Sequence, residues 1–197
     1  MRTVAKAAVI LHERHPQVLV RLHDDYGANI VERLDNRLAD FDVLAQPTDM
    51  SRYDHMPLPG GDPMGVLLRQ GHPLAALDTV TAKDLKGVPV IVPQGVLARR
   101  DLSGWFGRNA KSLDIVGTMN LMYNASCFVQ EGYGCAIGPA GLVSTSPDSE
   151  LTFRPLDPPM STQLAIAWKK NQPLTPAANA FLDALREVVQ PRGDSEA

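Results

Sequence analysis

The stretch VQEGYGCAIGP, residues 129–139, places three glycines, Gly132, Gly134 and Gly138, in an apolar setting. Two local structures compete for it. A dinucleotide-binding loop requires a strand, then G-x-G-x-x-G, then a helix whose first amides face a pyrophosphate. Here the order is reversed. Upstream, Met122, Ala125, Phe128 and Val129 recur at helical spacing, and downstream CAIG is a short apolar run that reads as a buried strand. The third glycine also falls one residue late for the fingerprint. Gly132 and Gly134 therefore stand where a helix stops, a place that commonly needs a left-handed residue. Gly138-Pro139 sits at the far end of the strand, either as one wall of a binding cleft or as a plain turn.

The same alternation extends outward. VPVIV is a strand, RRDLSGWFGRN a helix with Leu102, Trp105 and Phe106 on one side, and LDIVG a strand before the Met122 helix. This is βαβαβ. It is preceded by the strand MGVLLRQ, the turn GHPLA and TAKDLKG, expected as a short helix stopped by Gly87. Nearer the N-terminus, Val4, Ala8 and Leu11 give a helical stripe ending before Pro16, and VLVRL, residues 18–22, reads as a strand. DDYGAN is a turn, with Asn29 as cap for a helix carrying Ile30, Leu34 and Leu38. A strand follows over residues 41–45. That α-β-α-β rhythm belongs to a parallel sheet. Residues 47–63 are rich in Pro, Gly and Asp and show no apolar period. After residue 150 come two strands, LTFRPL and TQLAIAW. Thr175-Pro176 then forms an N-cap and N1 pair opening a helix with Phe181, Leu182, Leu185, Val188 and Val189 on one face.

The expected fold is α/β, with two lobes. Residues 1–70 with 163–197 form the first, residues 71–162 the second. The chain enters the second lobe through MGVLLRQGHP and returns through TQLAIAW, and two such crossings make a hinged cleft.

The totals bound the function. A chain of 197 residues can bury the cores of two small lobes. A net charge of −3 gives no global attraction to nucleic acid. No apolar run reaches the length of a membrane span. The N-terminus MRTVAKAAVILHERHP is interrupted by Lys6, and HERH stands where a signal cleavage site would need small residues, so a cytoplasmic start is expected. Cys127 and Cys135 form no C-x-x-C, as befits buried thiols in a reducing compartment.

In open α/β sheets ligands bind beyond the carboxyl ends of the strands. Those ends are residues 23–27, Gln46-Pro47, Pro93-Gln94-Gly95, Gly117-Thr118 with Asn120, and Gly138-Pro139. They offer amides, a hydroxyl, backbone N–H groups and a helix start, which suit a small carboxylate or other polar molecule. They hold no nucleophile with its base. Thr118 is the nearest hydroxyl and has no base in sequence. The histidines of HERH are three apart, not the four of a zinc protease, and mark a solvated helix end. Arg99-Arg100 reads as a solvated helix start, while Trp105, Phe106, Met119 and Met122 read most simply as core. No cofactor or metal site emerges.

LLRQGHPLA, VTAKDLKGVPVIVP, FVQEGYGCAIGP and LAIAWKKNQPLTPAANAFLDAL, in this order and spacing, resemble the effector-binding domain of LysR-type transcriptional regulators. HERHPQVLVRL and RLADFDVLA are similar to that domain's first lobe. The resemblance runs from about Val4 to Val189. It implies a type-2 periplasmic-binding-protein-like fold: two Rossmann-like lobes joined by two crossing strands, a small-molecule effector between them, no catalysis and a homo-oligomer. By motif, the effector contacts fall on Gln46, Pro93, Gln94, Gly95, Thr118, Met119, Asn120, Leu121, Gly138 and Pro139. Gly138→Trp is then expected to abolish effector binding and leave the fold. The family reads DNA through an N-terminal winged helix-turn-helix, and its first lobe opens with a strand ahead of the first helix. This chain starts inside or just before that helix, so it is expected to be a fragment or truncated product with an incomplete first lobe. DNA binding is then expected only of the parent. The alternatives on the same fold are a transporter's solute-binding protein, which secretion would mark, and a dehydratase- or deaminase-like enzyme, which would need an acid or nucleophile in the cleft.

Overall fold

A computed structural model of the protein describes residues 1–25, 27–94, 101–106 and 113–190. Its α-helices and strands are, in chain order, α1 (Arg2–Arg14), α2 (Gly27–Asp35), β1 (Asp42–Ala45), β2 (Tyr53–Pro57), β3 (Asp62–Arg69), β4 (Val80–Thr81), β5 (Pro89–Pro93), α3 (Asp101–Phe106), β6 (Asp114–Met119), α4 (Met122–Gln130), β7 (Cys135–Pro139), β8 (Leu151–Asp157), β9 (Ser161–Thr162), β10 (Leu164–Lys169) and α5 (Pro176–Val189). The chain divides into unit 1, Met1–Gly60 with Gln163–Ala197, and unit 2, Gly61–Thr162. The boundary expected at residue 70 moves to residue 60 because β3 is the strand on which β7, β8 and β9 pair.

Unit 1 is built around β10. Its sheet runs β1-β10-β2 and is antiparallel throughout. The parallel sheet expected from the α-β-α-β rhythm is therefore corrected: the returning strand takes the centre, and Ala165, Ile166 and Ala167 are buried there. β2 falls inside residues 47–63, where no strand is expected. Its sequence YDHMP buries only Tyr53 and has no clean alternation to read. Residues 18–22, expected as a strand, pair with nothing among the described residues, and Leu19 and Leu22 are 75% and 74% exposed. Leu38 lies beyond the end of α2 and is exposed, while Asn29 lies within α2, its amide donating to Asp25.

The final helix forms as its sequence dictates. The Thr175 hydroxyl accepts from the Ala178 N–H at 3.1 Å, and Pro176 occupies the first turn. Its buried face, Phe181, Leu182, Ala184 and Leu185, shares one core with Ala7 and Leu11 of α1 and Ile166 of β10. The C-terminus of α2 is tied down by a polar knot. The Tyr53 hydroxyl donates to Asp35 Oδ1 at 2.8 Å, Arg52 pairs with the same carboxylate at 2.9 Å, and Lys169 Nζ donates to the Asp35 carbonyl at 2.8 Å. The Tyr53 hydrogen bond, then Arg52, holds the Asp35 carboxyl below its usual range. Burial and the same bond push the Tyr53 phenol up to about 12.

Asp42 is different. Its Oδ2 is buried without a hydrogen-bond partner, and burial pushes its pKa up to about 6 against a smaller opposing pull from Arg33. Between the ordinary carboxylate range and pH 6 the folded chain holds this proton more tightly than the unfolded chain. Stability therefore falls as pH rises through that window and stays lower above it. Asp42→Asn is expected to stabilise unit 1 at pH 7.5 by about 1 kcal/mol, a figure discounted for partial exposure. The gain should vanish at pH 4, and thermal melts at both values check it.

Unit 2 has a sheet in the order β4-β8-β3-β7-β5-β6, with β9 on the end of β3. β5 runs parallel to β6 and β7, while β3 runs antiparallel to β7 and β8. Both faces are buried, so the strands read as continuous apolar runs. Period two divides them: Val66, Leu68, Val90, Val92, Cys135 and Ile137 enter one core with Leu85 and Phe106. Leu67, Ile91 and Ala136 enter another with Met122, Ala125 and Val129 of α4. TAKDLKG, expected as a short helix, forms successive turns, with the Thr81 N–H and hydroxyl bound to Asp84. Such local bonds from Thr and Asp compete with helix. The expected helix stop is present. After α4 the Gly132 N–H donates to the Val129 carbonyl and the Tyr133 N–H to the Phe128 carbonyl, each at 3.0 Å, with Gly132 at φ 78°.

Candidate functional site

Three parallel strands of unit 2 end on one edge. Val92 and Pro93 of β5 lie opposite Thr118 and Met119 of β6. Ile91 lies opposite Ala136 of β7, so Gly138 and Pro139 reach the level of Pro93. β3 starts on the same edge, with Met64 opposite Pro139 and Gly65 opposite Gly138. The row brings together Pro93, Gln94, Thr118, Met119, Asn120, Leu121, Gly138 and Pro139. Gly95 lies outside the described residues, as do Arg99 and Arg100.

The row is not uniform. Gln94, Thr118 and Asn120 are exposed, Leu121 is 42% exposed, and Pro93, Met119 and Pro139 are half-buried. α4 opens directly from it. Leu121 is the N-cap residue and makes no side-chain cap, so the first amides of α4 have no intrahelical acceptor and no side-chain acceptor among the described residues. A hydroxyl, two carboxamides and free helix amides thus share an edge floored by thioethers. Groups of that kind are the ones that can orient the oxygen atoms of a small molecule and pack an apolar body.

Gly138 does not belong to that surface. It is buried, and a side chain there would enter space held by the Met122 and Met119 methyl groups. The expectation that Gly138→Trp leaves the fold is corrected. An indole would have to displace Met122, which is 6% exposed within the second core.

Gln46 lies in unit 1, directly after β1. Its Oε1 accepts from the Thr48 N–H at 3.2 Å, and its Nε2 is buried without a partner. The side chain is thus half-spent on its own turn.

A second polar pair lies at the opposite, amino-terminal end of β7. His72 Nδ1 accepts from the Leu74 N–H at 3.2 Å, which places the ring proton on Nε2, 3.6 Å from the Cys135 sulfur. Burial lowers the His72 pKa and pushes the Cys135 thiol up to about 11. Both shifts favour the neutral forms, so this is no thiolate–imidazolium nucleophile. The sequence shows His72 only as part of a GHP turn, and a contact 63 residues away in the chain leaves no local mark. No group of three or more His, Cys, Asp or Glu able to hold a metal occurs among the described residues. No described helix is long and apolar enough to cross a membrane.

Among known families, the model described as LysR substrate binding domain matches residues 2–190. The HTH-type transcriptional regulator YvbU of Bacillus subtilis (strain 168) is 28% identical over 177 residues, 89% of this chain and 59% of that protein. The Hca operon transcriptional activator HcaR of Escherichia coli (strain K12) is 26% identical over 179 residues, 88% of this chain and 59% of the relative. The chain thus spans somewhat over half the length of these curated regulators. Among solved structures, the effector-binding domain of QuiR in complex with shikimate aligns with a TM-score of 0.80 at 18% identity, covering 95% of this chain and 90% of that one. The Synechocystis PCC6803 CcmR regulatory domain in complex with 2-PG aligns at 0.80 and 21% identity, covering 95% and 91%. At that identity the structures establish the fold, which is type-2 periplasmic-binding-protein-like.

Proposed function

This chain belongs to the LysR substrate-binding-domain family, and from that premise we propose that it senses a small-molecule effector at the strand-end row of unit 2. Gln94, Thr118, Asn120 and the first amides of α4 are the polar contacts. Met119, Leu121, Pro93 and Pro139 are the apolar ones. The observation that carries this reading is the uncapped start of α4, which faces the same edge as three exposed polar side chains. QuiR and CcmR, which share the fold, were crystallised with shikimate and 2-PG, so small molecules are the ligand class to test first. A carboxylate fits the free amides, and an aromatic body fits the thioethers.

The role is binding without turnover. YvbU and HcaR are transcriptional regulators, and the row holds a hydroxyl, Thr118, with no base hydrogen-bonded to it among the described residues. Effector binding acts on transcription by favouring one conformational or assembly state through its differential affinity. DNA contact and homo-oligomerisation are proposed for the longer regulator of which this domain is the sensing part. Gln46 is proposed as a secondary contact only, since its Oε1 is engaged locally.

Calorimetry against a panel of carboxylates and aromatic acids, shikimate included, tests this. Thr118→Trp adds bulk at an exposed position. It is expected to weaken the best ligand at least tenfold, about 1.4 kcal/mol, with the melting temperature unchanged. An unchanged affinity would remove the row from the site. Recovery of a chemically altered ligand would replace the sensor by an enzyme.

A further inference from the structure

The loop between α2 and β1 and the loop between β10 and α5 enclose a cavity of about 180 Å³ in unit 1. It lies where β1 begins and β10 finishes, at the end of the sheet away from Gln46. A water's share of the liquid is about 30 Å³, so the space exceeds that of a single water several times over. Arg37 and Asp40 stand exposed at its rim, and neither side chain makes a hydrogen bond or ion pair among the described residues. Lys169 also lines it but is committed to the Asp35 carbonyl. Gln172 Oε1 is buried there without a partner, and buried polar atoms are seldom left so. Leu34 and Leu174 supply apolar wall. The backbone is bent to make this space. Arg37 and Asn171, at φ 60° and 56°, are the non-glycine residues in left-handed conformation among the described ones, and one stands on each loop. That conformation is costly for a residue with a Cβ, and ligand clamps are among the places where it persists.

We propose that this cavity binds a free α-amino acid with a short side chain. With Lys169 engaged, one cation and two acceptors remain for a ligand, and a zwitterion is their complement. Its carboxylate pairs with Arg37. Its ammonium donates to the Asp40 carboxylate and to Gln172 Oε1, and its side chain rests on Leu34 and Leu174. A simple anion would leave Gln172 Oε1 without a donor, and a simple amine would leave Arg37 unused. The end of α2 and the start of α5 both border the cavity, through Leu34 and Thr175, and their dipoles offer a negative and a positive pole. The site lies wholly in unit 1 and does not rest on the effector reading.

The test titrates L-alanine into the ¹⁵N-labelled 197-residue chain and follows its amide resonances. Propionate lacks the ammonium, L-lactate replaces it with a hydroxyl, and L-alaninamide lacks the carboxylate. The expected result is a saturable shift at residues 37–40 and 169–175, with each of the three analogues roughly tenfold weaker or more. Arg37→Gly removes the guanidinium while relaxing the left-handed backbone. It should bind L-alanine roughly tenfold more weakly, with the melting temperature kept or raised, so the loss cannot come from unfolding. Asp40→Asn, at the exposed rim, should weaken binding by a similar factor. No saturable shift at these residues, an analogue that binds as tightly as L-alanine, or full affinity in Arg37→Gly would each overturn the proposal. So would shifts confined to residues 118–121, which would put L-alanine on the strand-end row and leave the effector reading standing.

Discussion

Gly65→Ala is expected to destabilise unit 2 by about 3 kcal/mol. A single methyl group has this effect because of what surrounds it. Gly65 is buried in β3, between β7 and β8, opposite Gly138 on one side and Pro155 on the other. A methyl there would run into the Phe153 ring and the Arg154 backbone carbonyl. The ring can turn, but the carbonyl belongs to the ladder and cannot move without parting the two strands. Alanine at Gly138 is milder, since the atom it meets most closely is the end of the flexible Met122 side chain. Urea unfolding of both variants separates the cases: a large drop in midpoint for Gly65→Ala, and a smaller one for Gly138→Ala. Equal midpoints would mean that backbone crowding does not limit β3.

Leu185→Ala should cost about 3 kcal/mol in unit 1. Leu185 is fully buried where α5 meets α1 and β10, and its neighbours in that core all come from unit 1. The two units have separate cores, and each holds one of the two tryptophans. Trp168 lies edge-on to Phe41 at 6.1 Å in unit 1. Trp105 lies edge-on to Phe106 at 4.8 Å in unit 2, its indole N–H donating to the Pro158 carbonyl at 2.7 Å. With either tryptophan replaced by phenylalanine, fluorescence reports one unit. The Leu185→Ala melt should shift strongly when read at Trp168. A shift of the same size at Trp105 would show that the two cores do not melt apart.

The helix–stop–strand reading of residues 129–139 was legible because each part is local: the 3.6 period, the left-handed glycine and the apolar run all lie within eleven residues. The helix opened by Thr175 and Pro176 was legible for the same reason. Unit 1 was harder. Its parallel rhythm was a sound inference from chain order, but the sheet's centre is a strand more than a hundred residues away, and no local pattern marks that. β2 was invisible because only Tyr53 of its five residues is buried. Residues 18–22 looked like a strand because they have strand chemistry, while the ladder that would hold them needs a neighbour that sequence does not display. The site residues were placed by the rule that ligands lie beyond strand ends. That rule cannot distinguish Thr118, which faces solvent, from Gly138, which faces Met122.

The crossings at residues 60–61 and 162–163 also set an order of events during synthesis. Residues 61–162 leave the ribosome as one uninterrupted stretch and can close both their cores before the rest of the chain exists. Unit 1 cannot do so. α1, α2, β1 and β2 are made before unit 2, but β10, on which β1 and β2 pair, and α5, against which α1 packs, are made after it. For the time needed to make about a hundred residues, the first sixty wait with their apolar faces uncovered. A chain whose first 165 residues have emerged, but no more, therefore carries a unit 2 free to close and a unit 1 that still lacks its central strand and α5.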